Sequence, residues 1–576
     1  METILIEKDV MATMRDGVKL AANVYRLNGA APQPTILART PYDKNGIVAG
    51  DDALNLLRMV QAGYVVVVQD TRGRFASEGE GDVMFQERQD GADTIAWIAA
   101  QPWSNGIVGT FGGSYLGATQ WLAALENPPG LKAIAPFVTW SDLYEGMLYI
   151  GGAPLLHGLV WSAAMGVEEA RRRVAKGQMS QEEAAAATAA ADPNKLLDHM
   201  PLDDFPYLRQ LAPHYQQWLD HRTPDGYWRP ASPCAGYANI TAPALNLGGW
   251  YDCFLWGTLQ NYIGMRRGAG SAEARQFGRL VIGPWTHGGL TGIYPDREFG
   301  PSATALACDL HGLHQRWYDH WLKGVDNGLE KDKPVKIFVM GIDQWREEED
   351  WPLPDAVERC YYLHSDGRAN TLNGDGLLST TAPEQEPADV YLYNPRRPTP
   401  TRGGQVLIVG PNAMGPQDQR PVEARDDVLV YSTPPLSAPL EATGPISLRL
   451  FISSSARDTD FTGKLVDVFP DGKAINLTDG IFRARYHKSL LEPELLQPGA
   501  VYELQIDLWA TSNVFLAGHC IRLEVSSSNF PKNGRNTNTG GVNESERLDQ
   551  CEPAVNRVFH DRQHPSHLIL PVIERS

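Results

Sequence analysis

The chain has 576 residues, too many for one hydrophobic core, so roughly two to four domains are expected. Its apolar (43%) and charged (21%) content is that of a soluble globular protein and argues against extensive disorder. The formal net charge of −18 argues against nucleic acid and anionic membrane as partners, because binding phosphate needs clustered Lys and Arg. The N-terminal segment, Met1 to Asp9, has no basic stretch leading into a long apolar one, and no apolar run reaches membrane-spanning length. A cytoplasmic protein with reduced thiols is therefore expected. Its six cysteines (Cys234, Cys253, Cys308, Cys360, Cys520, Cys551) form no Cys-x-x-Cys, so neither a zinc knuckle nor a disulfide framework is indicated.

Residues 1–143 alternate strands and helices. Val10–Arg26 reads as a hairpin turning at Asp16-Gly17. Pro34–Arg39 and Tyr64–Gln69 are short apolar runs of buried-strand type, and Asp90–Ala100 is helical. Ile107–Gly112 and Leu131–Val138 are further strands. This alternation predicts a parallel sheet covered on both faces. Residues 144–236 break the pattern: Ser180-Gln-Glu-Glu183 is a capping box before an alanine-rich run ending at Asp192-Pro193, which reads as a helical cap inserted over the sheet. Residues 237–354 resume the sheet with strands at Ala244–Leu247 and Leu280–Ile282 and a long helix at Leu310–Leu322. Trp345 to Pro354 reads as a boundary. From 355 to 576 short β-rich runs recur (Val390–Tyr393, Ile446–Ile452, Lys464–Phe469, Val501–Leu508, Ile521–Ser526, Leu568–Val572), which predicts an all-β sandwich or jelly roll.

The chemistry centres on Ser114. A Gly-rich strand leads into it and a helix-like run, Tyr115 to Leu125, leads out. Such a turn lifts a hydroxyl above a sheet edge and aims a helix N-terminus at it. Gly112 stands at the expected −2 position, whereas +2 is Leu116 and the second glycine arrives only at Gly117. A serine nucleophile needs a base and a group to orient that base. In an α/β-hydrolase fold these follow in the order Ser, acid, His, each after a strand. Two loops fit: Leu247-Gly-Gly-Trp-Tyr-Asp252 and Val281-Ile-Gly-Pro-Trp-Thr-His287. The N–H of Tyr115 and the phenol of Tyr42, which follows the strand Pro34–Arg39, are candidate oxyanion donors. His311 and His314 share a helix face, but without a His-Glu-x-x-His pattern they read as ordinary helix residues, and the acidic run Arg346-Glu-Glu-Glu-Asp350 lacks cation-loop spacing. No metal or organic cofactor is expected.

Gly112-x-Ser114-Tyr115-x-Gly117, Gly249-Trp-Tyr-Asp252, Gly283-Pro-Trp-x-His287, Met340-Gly-Ile-Asp-Gln-Trp345, Lys464-Leu-Val-Asp-Val-Phe-Pro470, Ser526-Ser-Ser-Asn-Phe-Pro and Asn538-Thr-Gly-Gly together resemble the CocE/NonD hydrolases. This is the family of the cocaine esterases, related to X-Pro dipeptidyl peptidases and α-amino acid ester hydrolases, and the resemblance runs from Met14 to His567. It implies an α/β-hydrolase core (1–143 and 237–354), a helical cap (144–236) and a C-terminal jelly roll (355–576). It also implies Ser114 as nucleophile, His287 as base, Asp252 as orienting carboxylate, and Tyr42 with Tyr115 as oxyanion hole. The positions matching the family's acyl pocket are Leu148, Trp161, Phe254, Leu407 and Ile408. Leu148 and Ile408 are aliphatic where an aryl-ester specialist would carry aromatics. The expected activity is a serine carboxylesterase acting on small-molecule esters through an acyl-enzyme, with a homodimer as the assembly to test. The rival readings are an X-Pro dipeptidyl peptidase or α-amino acid ester hydrolase, and a carbohydrate-binding protein with a vestigial core.

Overall fold

The computed structural model describes residues 3–46, 53–407 and 414–575. A ten-stranded sheet carries the first part of the chain. Its strands are β1 (Ile4–Thr13), β2 (Lys19–Leu27), β3 (Gln33–Thr40), β4 (Val65–Asp70), β5 (Ser104–Gly113), β6 (Leu131–Phe137), β7 (Leu245–Tyr251), β8 (Arg279–Thr286), β9 (Val335–Val339) and β10 (Gln344–Glu348). They lie in the order β1-β2-β4-β3-β5-β6-β7-β8-β9-β10. From β4 to β9 every pairing is parallel, and antiparallel strands close both edges. β4, β7 and β8 are buried along their whole length, as the Val65-Val-Val-Val-Gln-Asp70 run requires when helices cover both faces. The segment read as a boundary, Trp345 to Pro354, begins inside β10: a strand spelled Gln-Trp-Arg-Glu-Glu reads as polar linker because it is an edge strand with charged, partly exposed side chains.

The strand order reverses at β3. The chain goes from β3 outward to β4, then returns to β5 on β3's other side. In doubly wound sheets the crevice at the C-terminal ends of the strands flanking such a reversal holds the ligand. Tyr42 lies just beyond the end of β3 and Ser114 directly beyond the end of β5, so the topology alone puts both at that crevice.

Between β6 and β7 the chain forms mostly helices. The longest, His157–Ala175, packs on short helices at Gln181–Ala190, Pro206–Leu211 and His214–Asp220. Ser180 and Glu183 form a reciprocal capping box. From Ala356 onward all but one of the strand pairings are antiparallel, and the strands build an eleven-stranded sheet in which Leu440–Ser454 and Tyr502–Phe515 are the longest. Buried residues of this jelly roll, such as Leu448, Ile506 and Leu523, belong to one apolar cluster with Trp250, Tyr251 and Ile337 of the first sheet. The strand that carries Tyr251 into Asp252 is thus held from behind by the jelly roll, where Tyr251 donates to the Asn476 carbonyl at 3.1 Å.

Candidate active site

Ser114 sits between β5 and the helix α1 (Tyr115–Ala124) with φ 58° and ψ −122°, a conformation costly for a residue with a Cβ. The turn is held by Ser114 N–H donating to the Phe137 carbonyl (2.9 Å) and by the Thr139 hydroxyl donating to the Ser114 carbonyl (2.8 Å). The spacing of the two glycines now has a physical reason. Gly112 has φ +135°, and a Cβ there would lie 2.4 Å from the Cβ of Leu116. A Cβ at Gly117 would lie 2.7 Å from Cβ of Thr139. Position 116 tolerates leucine because Gly112 opposite it has no side chain, while 117 does not because α1 crosses β6 there.

The N–H of Tyr115 is the first of α1 and has no acceptor within the helix. Its ring is fixed from the other side: the phenol donates to Glu87 Oε1 (2.8 Å) and accepts from Met84 N–H (3.1 Å). Glu87 is in turn paired with buried Arg39 at 2.6 Å. The sequence reading missed Glu87 because it started that helix at Asp90, whereas the helix begins at Glu87 itself. Tyr42 follows β3, with its ring 6.3 Å from that of Tyr115. The Trp161 indole Nε1–H donates to its phenol oxygen at 2.9 Å. Because that oxygen accepts from Trp161, the phenol's own hydrogen is left to donate elsewhere. Although 37% of Tyr42 is exposed, loss of water around its phenol pushes the pKa up to about 12, so the group stays protonated at neutral pH.

Asp252 follows β7 and His287 follows β8, two strands in parallel register. A Cβ at Gly249 would lie 2.2 Å from the Trp285 carbonyl oxygen, so the Gly-Gly before Trp250 lets these two strand ends approach. Asp252 is fully buried, and its Oδ1 lies 2.7 Å from His287 Nδ1. A carboxylate accepts here, which assigns a hydrogen to Nδ1 and leaves Nε2 as the nitrogen that faces other partners. Cys253 Sγ also approaches Asp252 Oδ1, at 3.7 Å. Asp252, Cys253 and His287 bring one ligand-type atom each within 4.8 Å of one another. They fit a metal poorly: the His–Asp hydrogen bond occupies the atoms that would coordinate, and burial, then the Asp252 charge, hold the Cys253 thiol well above its usual pKa.

Ser114, Asp252 and His287 therefore stand on one edge of the sheet. Aromatic contacts link them: Tyr115 to Trp140 (6.2 Å), Trp140 to Phe254 (5.8 Å) and Phe254 edge-on to His287 (5.1 Å). Leu148, Phe254, Trp161 and Leu407 join Tyr115 in one apolar cluster drawn from core, cap and jelly roll. Ile408, named with them, lies outside the described residues, as does the stretch 47–52. His311 and His314 stay on their helix, where His314 is buried with Nδ1 at 2.7 Å from the Leu310 carbonyl. No helix of the described residues is long and apolar enough to cross a membrane.

Residues 16–289 match the X-Pro dipeptidyl-peptidase (S15) family, and residues 327–569 match the C-terminal non-catalytic domain of X-Pro dipeptidyl-peptidases. The chain is 46% identical to a cocaine esterase of Rhodococcus sp. (strain MB1 Bresler), covering 99% of both chains. Among solved structures it is similar to an α-amino acid ester hydrolase (TM-score 0.82, 25% identity, 99% of this chain and 97% of the other). It is also similar to an aminopeptidase from a marine sediment Thaumarchaeota archaeon (TM-score 0.81, 25% identity, 99% and 96%). The chain belongs to the CocE/NonD family and is a serine hydrolase of the carboxylesterase type.

Proposed function

We propose that Ser114 is the nucleophile, His287 the base, Asp252 the group that orients His287, and Tyr42 O–H with Tyr115 N–H the oxyanion hole, acting on small-molecule esters. The observation that carries this reading is the 2.7 Å contact of Asp252 with His287 at the sheet edge where Ser114 stands on its strained turn. Ser114 Oγ attacks the ester carbonyl as His287 Nε2 takes its proton, and the two donors meet the oxyanion. His287 then protonates the leaving alkoxide. Water, deprotonated by His287, attacks the acyl-enzyme, and Ser114 regains its proton as the acid leaves. A fluorophosphonate that labels the wild type but not Ser114→Ala tests the nucleophile directly.

A peptidase or aminoacyl reading needs carboxylates to hold a substrate ammonium. The side chains of Leu148, Trp161, Phe254 and Leu407 supply none. Comparing p-nitrophenyl esters with Gly-Pro anilides separates the two, and ester turnover at least about tenfold higher in kcat/KM is expected. For the acyl group, Leu148 puts a branched aliphatic in the pocket wall, where an aromatic partner would add about 0.5–1.5 kcal/mol for an aryl ring. Butyrate should exceed benzoate by roughly tenfold in kcat/KM with one leaving group. A preference for benzoate would mean that Trp161 and Phe254 suffice to hold the ring.

We further propose cytoplasmic residence, since all six cysteines are unpaired. We also propose a homodimer. The edge strand Asp389–Tyr393 exposes Val390 and Leu392, with Val555 exposed on the neighbouring strand, which is an apolar edge that a second copy would cover. Sedimentation velocity tests the dimer.

A further inference from the structure

Beside the oxyanion loop lies a cavity of about 200 Å³. Tyr115 and Trp161 form part of its wall, but none of Ser114, Asp252, His287, Leu148, Phe254 or Leu407 does. One side is a face of the cap helix His157–Ala175, on which Trp161, Met165, Glu169 and Arg172 recur at helical spacing. The other side is the loop after β4, carrying Arg72 and Arg74.

Most charges around this cavity have partners. Arg72 is bound by Asp16 and Asp90 (2.7 and 2.6 Å). Arg172 and Arg173 share Glu169, each at 2.7 Å. Glu87 is held by Arg39. Glu80 and Asp82 also line it and are exposed. Burial pushes His214 down to about 3, so it adds no positive charge, and its Nε2 meets the Ser162 hydroxyl at 3.1 Å. Arg74 differs. Its Nε donates to the Pro41 carbonyl at 3.3 Å and its guanidinium lies 5.7 Å from the Phe75 ring, but its Nη2 is buried with no hydrogen-bond partner, and among the described residues no carboxylate is within ion-pair distance, Glu169 and Glu168 acting on it only from farther off. A partly buried guanidinium with no ion-pair partner of its own is costly, and its donor set matches a carboxylate. Beside it the wall is apolar: the Trp161 ring, Met165 and Leu211. The space is enough for a single ring, since an apolar cavity of ~150 Å³ takes benzene.

We propose that this cavity is a second ligand site, next to the ester site and sharing Trp161 and Tyr115 with it, that takes a small amphipathic monocarboxylate. The carboxylate would sit on Arg74 and the apolar part against Trp161, Met165 and Leu211. Acids of this class are what an esterase releases, and Trp161 is the residue that donates to Tyr42, so an occupant would touch the oxyanion hole from the side. The binding itself does not depend on turnover.

Benzoate is the probe, titrated calorimetrically into the full-length protein, with thermal unfolding followed in parallel. Binding should raise Tm. Arg74→Leu, which removes the cation, and Met165→Trp, which fills the cavity, should each weaken benzoate at least about tenfold, and benzyl alcohol should bind at least about tenfold more weakly than benzoate. Without benzoate, Arg74→Leu should keep or raise Tm, because the partly buried charge it removes has no ion-pair partner. The proposal is overturned if benzoate shows no binding below about 10 mM, if both variants bind it as the wild type does, or if benzyl alcohol binds equally well. A lower Tm for unliganded Arg74→Leu would also overturn it, by showing that the guanidinium is already satisfied within the fold.

Discussion

Ser114→Ala should abolish ester hydrolysis, with a loss on the order of 10⁶ in kcat, while the protein stays folded. The size follows from the cooperation of the triad: without Oγ there is nothing for His287 to deprotonate and no acyl-enzyme to form. The fold should be indifferent, because Ser114 holds its turn through backbone groups, the N–H to Phe137 and the carbonyl to Thr139, which alanine keeps. Alanine also keeps the Cβ, so the strain at φ 58° is unchanged. Ser114→Gly separates the two roles. It should be equally inactive but more stable by about 1 kcal/mol, because glycine adopts that backbone without the Cβ clash. Urea midpoints and kcat on p-nitrophenyl butyrate measure both. Retention of more than a few per cent of activity in Ser114→Ala freed of host esterases would remove Ser114 from the mechanism.

The central sheet was legible because strands buried on both faces are spelled as short apolar runs between turn residues, as Tyr64–Gln69 and Leu131–Val138 are. Its edges were not. β10 reads as charged linker, and β9, Val-Lys-Ile-Phe-Val, is too short to stand out beside the prolines and charges around it. In the jelly roll the strand Ala474–Arg483 escaped notice because its ten residues, nearly all buried, mix Asn, Thr, Asp and Gly with the apolar ones. Buried polar residues hide the alternation on which strand reading depends.

At the site, the loops carrying Ser114, Asp252 and His287 were legible from order and strand-end position. The support around them was not, because it joins residues far apart in sequence. The Glu87–Arg39 pair behind Tyr115 spans 48 positions and the Trp161–Tyr42 hydrogen bond 119. Trp161 was read as a pocket wall. It is also the donor that fixes the phenol of Tyr42, a role that depends on how the cap lies over the core.

That hydrogen bond bears on the second large effect. Tyr42→Phe should lower kcat by roughly 10²–10³, the usual cost of one oxyanion-hole donor. KM should move less, because the donor acts on charge that develops in the transition state. The substitution removes one oxygen and leaves the ring contact with Tyr115 in place, so the stability change should be small; the Trp161 N–H it unpairs belongs to a half-buried side chain. The ratio of wild-type to variant kcat should also be flat between about pH 6 and 9. Partial desolvation holds the Tyr42 phenol up at about 12, so the group donates its hydrogen across that range and neither enzyme gains or loses a titration there. If Trp161 positions the phenol, Trp161→Phe should reproduce part of the kcat loss in the wild type and add little to Tyr42→Phe, since the two residues act through one hydrogen bond. A kcat for Tyr42→Phe within about threefold of wild type would make Tyr42 a loop aromatic. The oxyanion would then rest on the Tyr115 N–H with some other donor.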